Sequence, residues 1–192
     1  MHALPAAPSA PPRRQVLVGT ALVSAAAITL VGGMLAVWLL MRQRALDAGE
    51  PWLPDSVTIP EVPSNTMLIT FLGLCVFAQW AVHAVGRRDR AHTALALGLT
   101  AVFAIAIVNA QAYVWNQIDL SIADDGYAGM FYAVTATMLA LTVLGLVFTA
   151  VTAFRVLGGR IEDRELIAAH ALAWYVITTV FIAVWLVVYV TK

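Results

Sequence analysis

Five stretches of the chain are almost wholly apolar: residues 16–41, 66–85, 93–115, 127–154 and 166–190. None contains Asp, Glu, Lys or Arg. Each is long enough to cross a bilayer, which takes roughly 20 residues of α-helix. A charge at the bilayer centre costs at least about 2.5–3.5 kcal/mol, and every run avoids that cost. The pattern predicts an all-α fold, a polytopic membrane protein built as a bundle of five transmembrane helices, with residues 15–192 as one domain. All eight prolines lie outside the runs. Proline is the commonest cause of a sharp kink, so continuous helices are predicted. That weighs against transporters, whose sites often use broken helices at mid-membrane.

Residues 1–14 hold Pro5, Pro8, Pro11 and Pro12 among alanines and read as a disordered tail. The Arg13-Arg14 pair ahead of the first run resembles an export signal. An h-region spans only about 7–15 residues; this run is longer, and no clear A-x-A cleavage site follows it.

Basic residues set the expected orientation. The tail and the loops at 86–92 and 155–165 carry Arg13, Arg14, Arg87, Arg88, Arg90, Arg155, Arg160 and Arg164. The opposite ends carry only Arg42, Arg44 and Lys192. The first set is expected in the cytoplasm, which puts the N-terminus inside and the C-terminus outside a multi-pass cell (plasma) membrane protein.

Composition narrows the chemistry. Charged residues make up 11% of the chain and net charge is zero, which argues against nucleic acid as a partner. The single cysteine, Cys75, can form no internal disulfide. Helices in lipid associate through small residues and interhelical hydrogen bonds. Two stripes at four-residue spacing fit such contacts: Ala21, Ala25, Thr29 and Gly33, and Gly145, Thr149 and Ala153. They are the expected helix-packing or subunit-contact residues. Trp38, Trp52, Trp115 and Trp185 near the outer ends are expected as interfacial anchors.

Catalytic, cofactor-binding and metal-binding residues are expected to be absent. His2 lies in the tail, while His83, His92 and His170 fall near predicted cytoplasmic helix ends and read as polar tips at the interface. A cluster of those three on the cytoplasmic face is the alternative. Asn109 and Gln111 are the deepest polar side chains with Gln79, and read as interhelical hydrogen-bonding groups.

A series of local patterns, taken in order, resembles subunit III of the haem–copper (cytochrome c) oxidases in a five-helix form. Gly33-Met34-Leu35-Ala36-Val37-Trp38-Leu39-Leu40-Met41-Arg42 resembles the family's G-L-F-A-A-Y-F-x-L-R. Trp52-Leu53-Pro54 and Pro63-Ser64-Asn65-Thr66 stand where the family has W-P-P and a proline before N-T. Gln79-Trp80-Ala81-Val82-His83-Ala84, followed by a basic loop, is similar to H-W-A-H-H-A. Gln111-Ala112-Tyr113-Val114-Trp115 is similar to Q-A-Y-E-Y. Asp124-Asp125-Gly126-Tyr127 then precedes Phe131-Tyr132-Ala133-Val134-Thr135-Ala136, as a D-G turn precedes F-Y-x-L-T-G. Ala173-Trp174-Tyr175 through Phe181 resembles Y-W-H-F-V-D-V-V-W.

The ionisable members of these motifs are replaced. Ala27 stands at the family's first-helix glutamate, Val114 at the Y-E-Y glutamate, Met138 and Leu141 at two histidines, and Tyr175 and Thr178 at the last-helix His and Asp. The resemblance implies an accessory, non-redox subunit of a respiratory complex that reduces oxygen and translocates protons. It implies haem and copper in oxidase subunits I and II, none bound by this chain, and phospholipid held by it as part of a hetero-oligomer. An oxidase assembly factor and an independent small membrane transporter are the alternatives.

Overall fold

The computed structural model describes residues 14–54, 57–118, 120, 126–160 and 163–191. Most of the proline-rich tail and the Asp124-Asp125 pair lie outside the described residues. The five expected helices are present: α1 (Gln15–Asp47), α2 (Glu61–Gly86), α3 (Arg90–Gln117), α4 (Gly126–Leu157) and α5 (Arg164–Val184). A wider π-helical stretch, Trp185–Val190, carries α5 onward. Each span is long and apolar enough to cross a membrane.

The helices overrun their apolar runs because backbone pairing continues into polar sequence. α2 starts at Glu61 rather than near 66, with Pro63 in its first turn. There an N–H has no intrahelical partner to lose, so proline is tolerated.

The ends are closed by specific contacts. α2 stops in a Schellman turn: Asp89 N–H reaches Ala84 O at 3.0 Å and Arg88 N–H reaches Val85 O at 3.0 Å. Arg88 sits at φ 58°, where glycine is the usual residue. α4 stops the same way with Gly159 at φ 92°. The Asp89 carboxylate caps α3 by accepting the His92 N–H at 3.0 Å. Arginines complete this basic end. Arg164 donates to Gly86 O at 3.2 Å and Arg90 to Leu157 O.

α2, α3, α4 and α5 close a four-helix bundle in chain order, and α1 rides on α5 outside it. Burial follows that plan: 44% of the α5 span is buried inside the chain but only 28% of α1. Phe71 of α2 packs on Phe181 of α5 with centroids 4.4 Å apart. The outward faces carry large exposed apolar side chains, among them Leu22, Leu30, Ile69, Val102, Leu144 and Phe154. Continuous apolar surface on this scale needs lipid or a partner to cover it.

Five buried threonine hydroxyls inside the spans are satisfied locally. Thr100, Thr135, Thr142, Thr149 and Thr152 each donate to the carbonyl four residues back. In a bilayer no water is present to do this.

Candidate functional site: helix seams and the groove beside α1

α1 is fastened at both ends. At the basic end the Glu165 carboxylate of α5 accepts the Leu17 N–H at 3.0 Å. Leu17 belongs to the first turn of α1, where backbone donors have no intrahelical partner. Arg14 supplies no side-chain cap, so α5 caps α1 in its place. At the far end Arg42 donates to Thr191 O at 3.2 Å.

The far end also holds an aromatic cluster. Trp38 of α1, Trp52 of the following loop and Tyr127 of α4 lie 5.2–5.3 Å apart by ring centroid. Met41 rests against Gly126, its Cε 3.3 Å from where a Cβ would stand. The expectation of Trp38 and Trp52 as lipid-facing anchors is corrected: both are buried. Their partner Tyr127 arrives from a distant part of the chain, and the α1–α2 loop folds Trp52 inward over α1. Trp115 and Trp185 remain half-buried near that end and donate to Thr135 and Asn65, each at 3.1 Å.

Away from this cluster α1 leans on α5 and parts from α4. The gap is a groove of 340 Å³. Its walls are Gly19, Val23, Ser24 and Ala27 of α1, Leu141, Gly145 and Phe148 of α4, and Ala173 and Ile177 of α5, with a few neighbours. The lining is overwhelmingly apolar. Ala27 is half-buried in this wall.

The two small-residue stripes have different fates. Ala21, Ala25, Thr29 and Gly33 are all exposed, and nothing lies within 4 Å of a Cβ placed on Gly33. α1 instead buries Ser24, Val31, Leu35 and Trp38. Among the described residues no helix covers the stripe.

The α4 stripe is internal. A Cβ on Gly145 would stand 2.9 Å from the Trp174 ring and 3.0 Å from Ile177 Cδ1. The missing side chain is what lets α5 seat its indole. Thr149 then joins the helices. Its Oγ1 donates to Gly145 O at 2.8 Å, accepts Trp174 Nε1–H at 2.9 Å and lies 2.9 Å from His170 Nε2. The Trp174 Nε1–H also comes within 3.1 Å of His170 Nε2, so Thr149, His170 and Trp174 form one closed polar cluster between the two helices. Ala153 packs half-buried against the smaller cluster of Ala81, Val85, Ala96, Leu97, Val156 and Ile167.

His170 is a second correction. It is a fully buried α4–α5 joint rather than an interfacial tip. The three-histidine surface cluster does not form, although His83 and His92 share a pocket at the α2–α3 turn. The detectable signal was the match between His170/Trp174 and Gly145/Thr149, each spaced by four. Gln111 behaves as expected of an interhelical group, accepting from Tyr189 OH at 3.2 Å. Gln79 accepts from Tyr175 OH. Asn109 differs: it is exposed on the outer face of α3.

Among the described residues no group of three His, Cys, Asp or Glu side chains comes together to hold a metal. The arrangement defines a class: a polytopic helical membrane protein whose buried polar groups join helices to one another. Comparison with known proteins is specific within that class. The profile of the family described as cytochrome c oxidase subunit III matches residues 25–192. The chain belongs to that family.

Among similar proteins, cytochrome c oxidase subunit 3 of Prototheca wickerhamii is 26% identical over 134 residues, 68% of this chain and 50% of that protein. Its counterpart from Paracentrotus lividus is 28% identical over 137 residues, 68% of this chain and 51% of the relative. A probable cytochrome c oxidase subunit 3 of Rickettsia bellii is 29% identical over 123 residues, 63% and 43% of the two chains. The chain thus spans about half the length of the curated relatives it matches.

Proposed function

We propose that this chain is the accessory, non-redox subunit III of a respiratory haem–copper oxidase. It packs against subunit I of a complex whose subunits I and II carry the haems and copper. Its work is assembly, lipid retention and stability of an enzyme that reduces oxygen and translocates protons. Family membership over residues 25–192 carries this reading.

The exposed stripe Ala21/Ala25/Thr29/Gly33 is the face offered to a neighbouring subunit. Small side chains there let a second backbone approach closely, and the described residues leave the face open. The α1–α4–α5 groove takes an acyl chain of phospholipid, whose apolar surface matches its walls. The basic loops face the cytoplasm, with the N-terminus inside a cell membrane. Ala27 leaves the groove wall without the family's carboxylate, so the lipid and packing roles are carried over and the glutamate's is not.

The test is affinity purification from the native membrane in mild detergent. A haem a difference spectrum with near-equal amounts of this chain and subunits I and II supports the reading. Amounts far below subunit I indicate an assembly factor, and a haem-free preparation after gentle extraction indicates an independent membrane protein. Ala25→Leu should lower co-purification while leaving the chain's own thermal stability unchanged, because Ala25 is exposed on its fold.

A further inference from the structure

The turn between α2 and α3 encloses a second cavity, remote from the groove beside α1. It has a volume of 360 Å³ and is lined by Trp80, His83, Ala84, Arg87, Asp89 and His92. α2 presents four of these on one face through spacings of three, four and seven. The Schellman turn sets Arg87 as the last residue before the chain reverses. The first turn of α3 returns Asp89 and His92 to the same space.

The charges in this cavity are unequal in availability. Both oxygens of Asp89 are engaged: Oδ1 takes the His92 N–H at 3.0 Å and Oδ2 meets His92 Nδ1 at 2.6 Å. Hydrogen bonding from the His92 backbone holds the Asp89 carboxyl below its usual range. Three nearby guanidinium groups are also committed, Arg90 to Leu157 O, Arg164 to Gly86 O and Arg155 to Asp163 at 3.3 Å, and Arg88 is not part of the cavity's lining. Arg87 has no such bond among the described residues, and neither does His83. The cavity is therefore lined by an uncommitted guanidinium and an uncommitted imidazole, with a tryptophan beside them. Trp80 lies in the last two turns of α2, which ends at Gly86, and tryptophan favours the membrane interface.

From Trp80 toward mid-membrane, the same face of α2 is apolar and exposed. Val76 is 66% exposed, Leu72 49% and Ile69 70%. A cationic pocket at headgroup depth above an open apolar stripe matches one kind of molecule. We infer that the α2–α3 turn binds the phosphate of an anionic phospholipid through Arg87 and His83, with an acyl chain lying along Val76, Leu72 and Ile69. This site is separate from the groove beside α1, and the inference does not depend on which complex the chain joins.

The test uses the full chain in its native assembly, reconstituted into nanodiscs. The probes are phosphatidylglycerol and phosphatidylcholine, each with a diazirine beside the headgroup, with labelled peptides mapped by mass spectrometry. Phosphatidylglycerol should label residues 80–92 in clear excess over phosphatidylcholine. Arg87→Gln should cut that labelling about fivefold, the scale of one basic side chain at an anionic surface, while Arg87→Lys retains most of it. Labelling of the α1 groove, unchanged in Arg87→Gln, checks that the variant folds. Equal labelling by the two lipids, or labelling indifferent to Arg87→Gln, overturns the inference. Suppression by inorganic phosphate at constant ionic strength also overturns it, because the site would then take the free anion.

Discussion

Gly145→Ala tests whether the α4 stripe is an internal joint. The new methyl would stand 2.9 Å from two atoms of the Trp174 ring, and carbon atoms pack best at about 3.5–4.0 Å. Trp174 has little freedom to retreat. Its Nε1 is held by Thr149 at 2.9 Å and lies 3.1 Å from His170 Nε2, and the side chain is fully buried. Overpacking of this kind costs about 1–3 kcal/mol. Losing the Trp174–Thr149 bond adds about 0.6–1.7 kcal/mol, the range for side-chain bonds between membrane helices. The better helix propensity of alanine returns about 1 kcal/mol. The net expectation is a loss of about 1–3 kcal/mol, read as a lower unfolding midpoint of the purified chain in mild detergent. Trp174→Phe removes the clashing ring and the indole donor together. The double variant should therefore recover at least part of the loss in a double-mutant cycle. A Gly145→Ala chain as stable as the wild type, or a cycle with no coupling, refutes the joint. Normal stability with reduced co-purification would assign Gly145 to a subunit contact instead.

Other consequences follow from the helix ends. Glu165→Ala should uncap α1 at a cost of about 0.5–2 kcal/mol, seen as faster hydrogen exchange at the Leu17 amide with the α3 amides unchanged. Gly159→Ala forces a side chain into φ 92° and should cost about 1–2 kcal/mol, measured by thermal unfolding in detergent. Asp89 gives a pH test. Its folded pKa is depressed, chiefly by the His92 backbone bond, so its stabilising effect is complete above the ordinary Asp value of about 3.9. It is lost as pH falls from there through the lowered value. Amide exchange in the first turn of α3, corrected for intrinsic rates, should accelerate in that window, and Asp89→Asn should abolish the pH-dependent step.

The spans were legible because lipid imposes one strict rule, and the sequence obeys it in five charge-free runs. Helix ends were less legible. Pro63 looks like a breaker until its place in the first turn of α2 is known. Four-residue periodicity identified both small-residue stripes but carries no information about what faces them. The stripe on α4 meets Trp174 of this chain, and the one on α1 is exposed among the described residues. His170 was misplaced because distance along an apolar run fixes depth in the membrane and leaves rotation about the helix axis open. That rotation turns the imidazole between α4 and α5. Trp38 and Trp52 were misread for a related reason: their common partner, Tyr127, is brought to them only by the packing of α4.

The contrast between α1 and the other helices bears on how the chain works. α2 to α5 are locked by large side chains and by interhelical bonds such as Thr149–Trp174 and Tyr189–Gln111. α1 is the least buried span. The aromatic cluster and the Arg42–Thr191 bond hold its far end, and the Glu165–Leu17 bond holds its near end. Between those ties its inner face borders the groove and its small residues face outward. A partner helix against Ala21, Ala25, Thr29 and Gly33 would supply the cover that α1 lacks, and an acyl chain in the groove would fill the gap that α4 leaves. On this arrangement subunit contact and lipid act on opposite sides of one lightly held helix. Loosening the cap at Glu165 should therefore weaken both together, whereas Ala25→Leu should disturb the partner first.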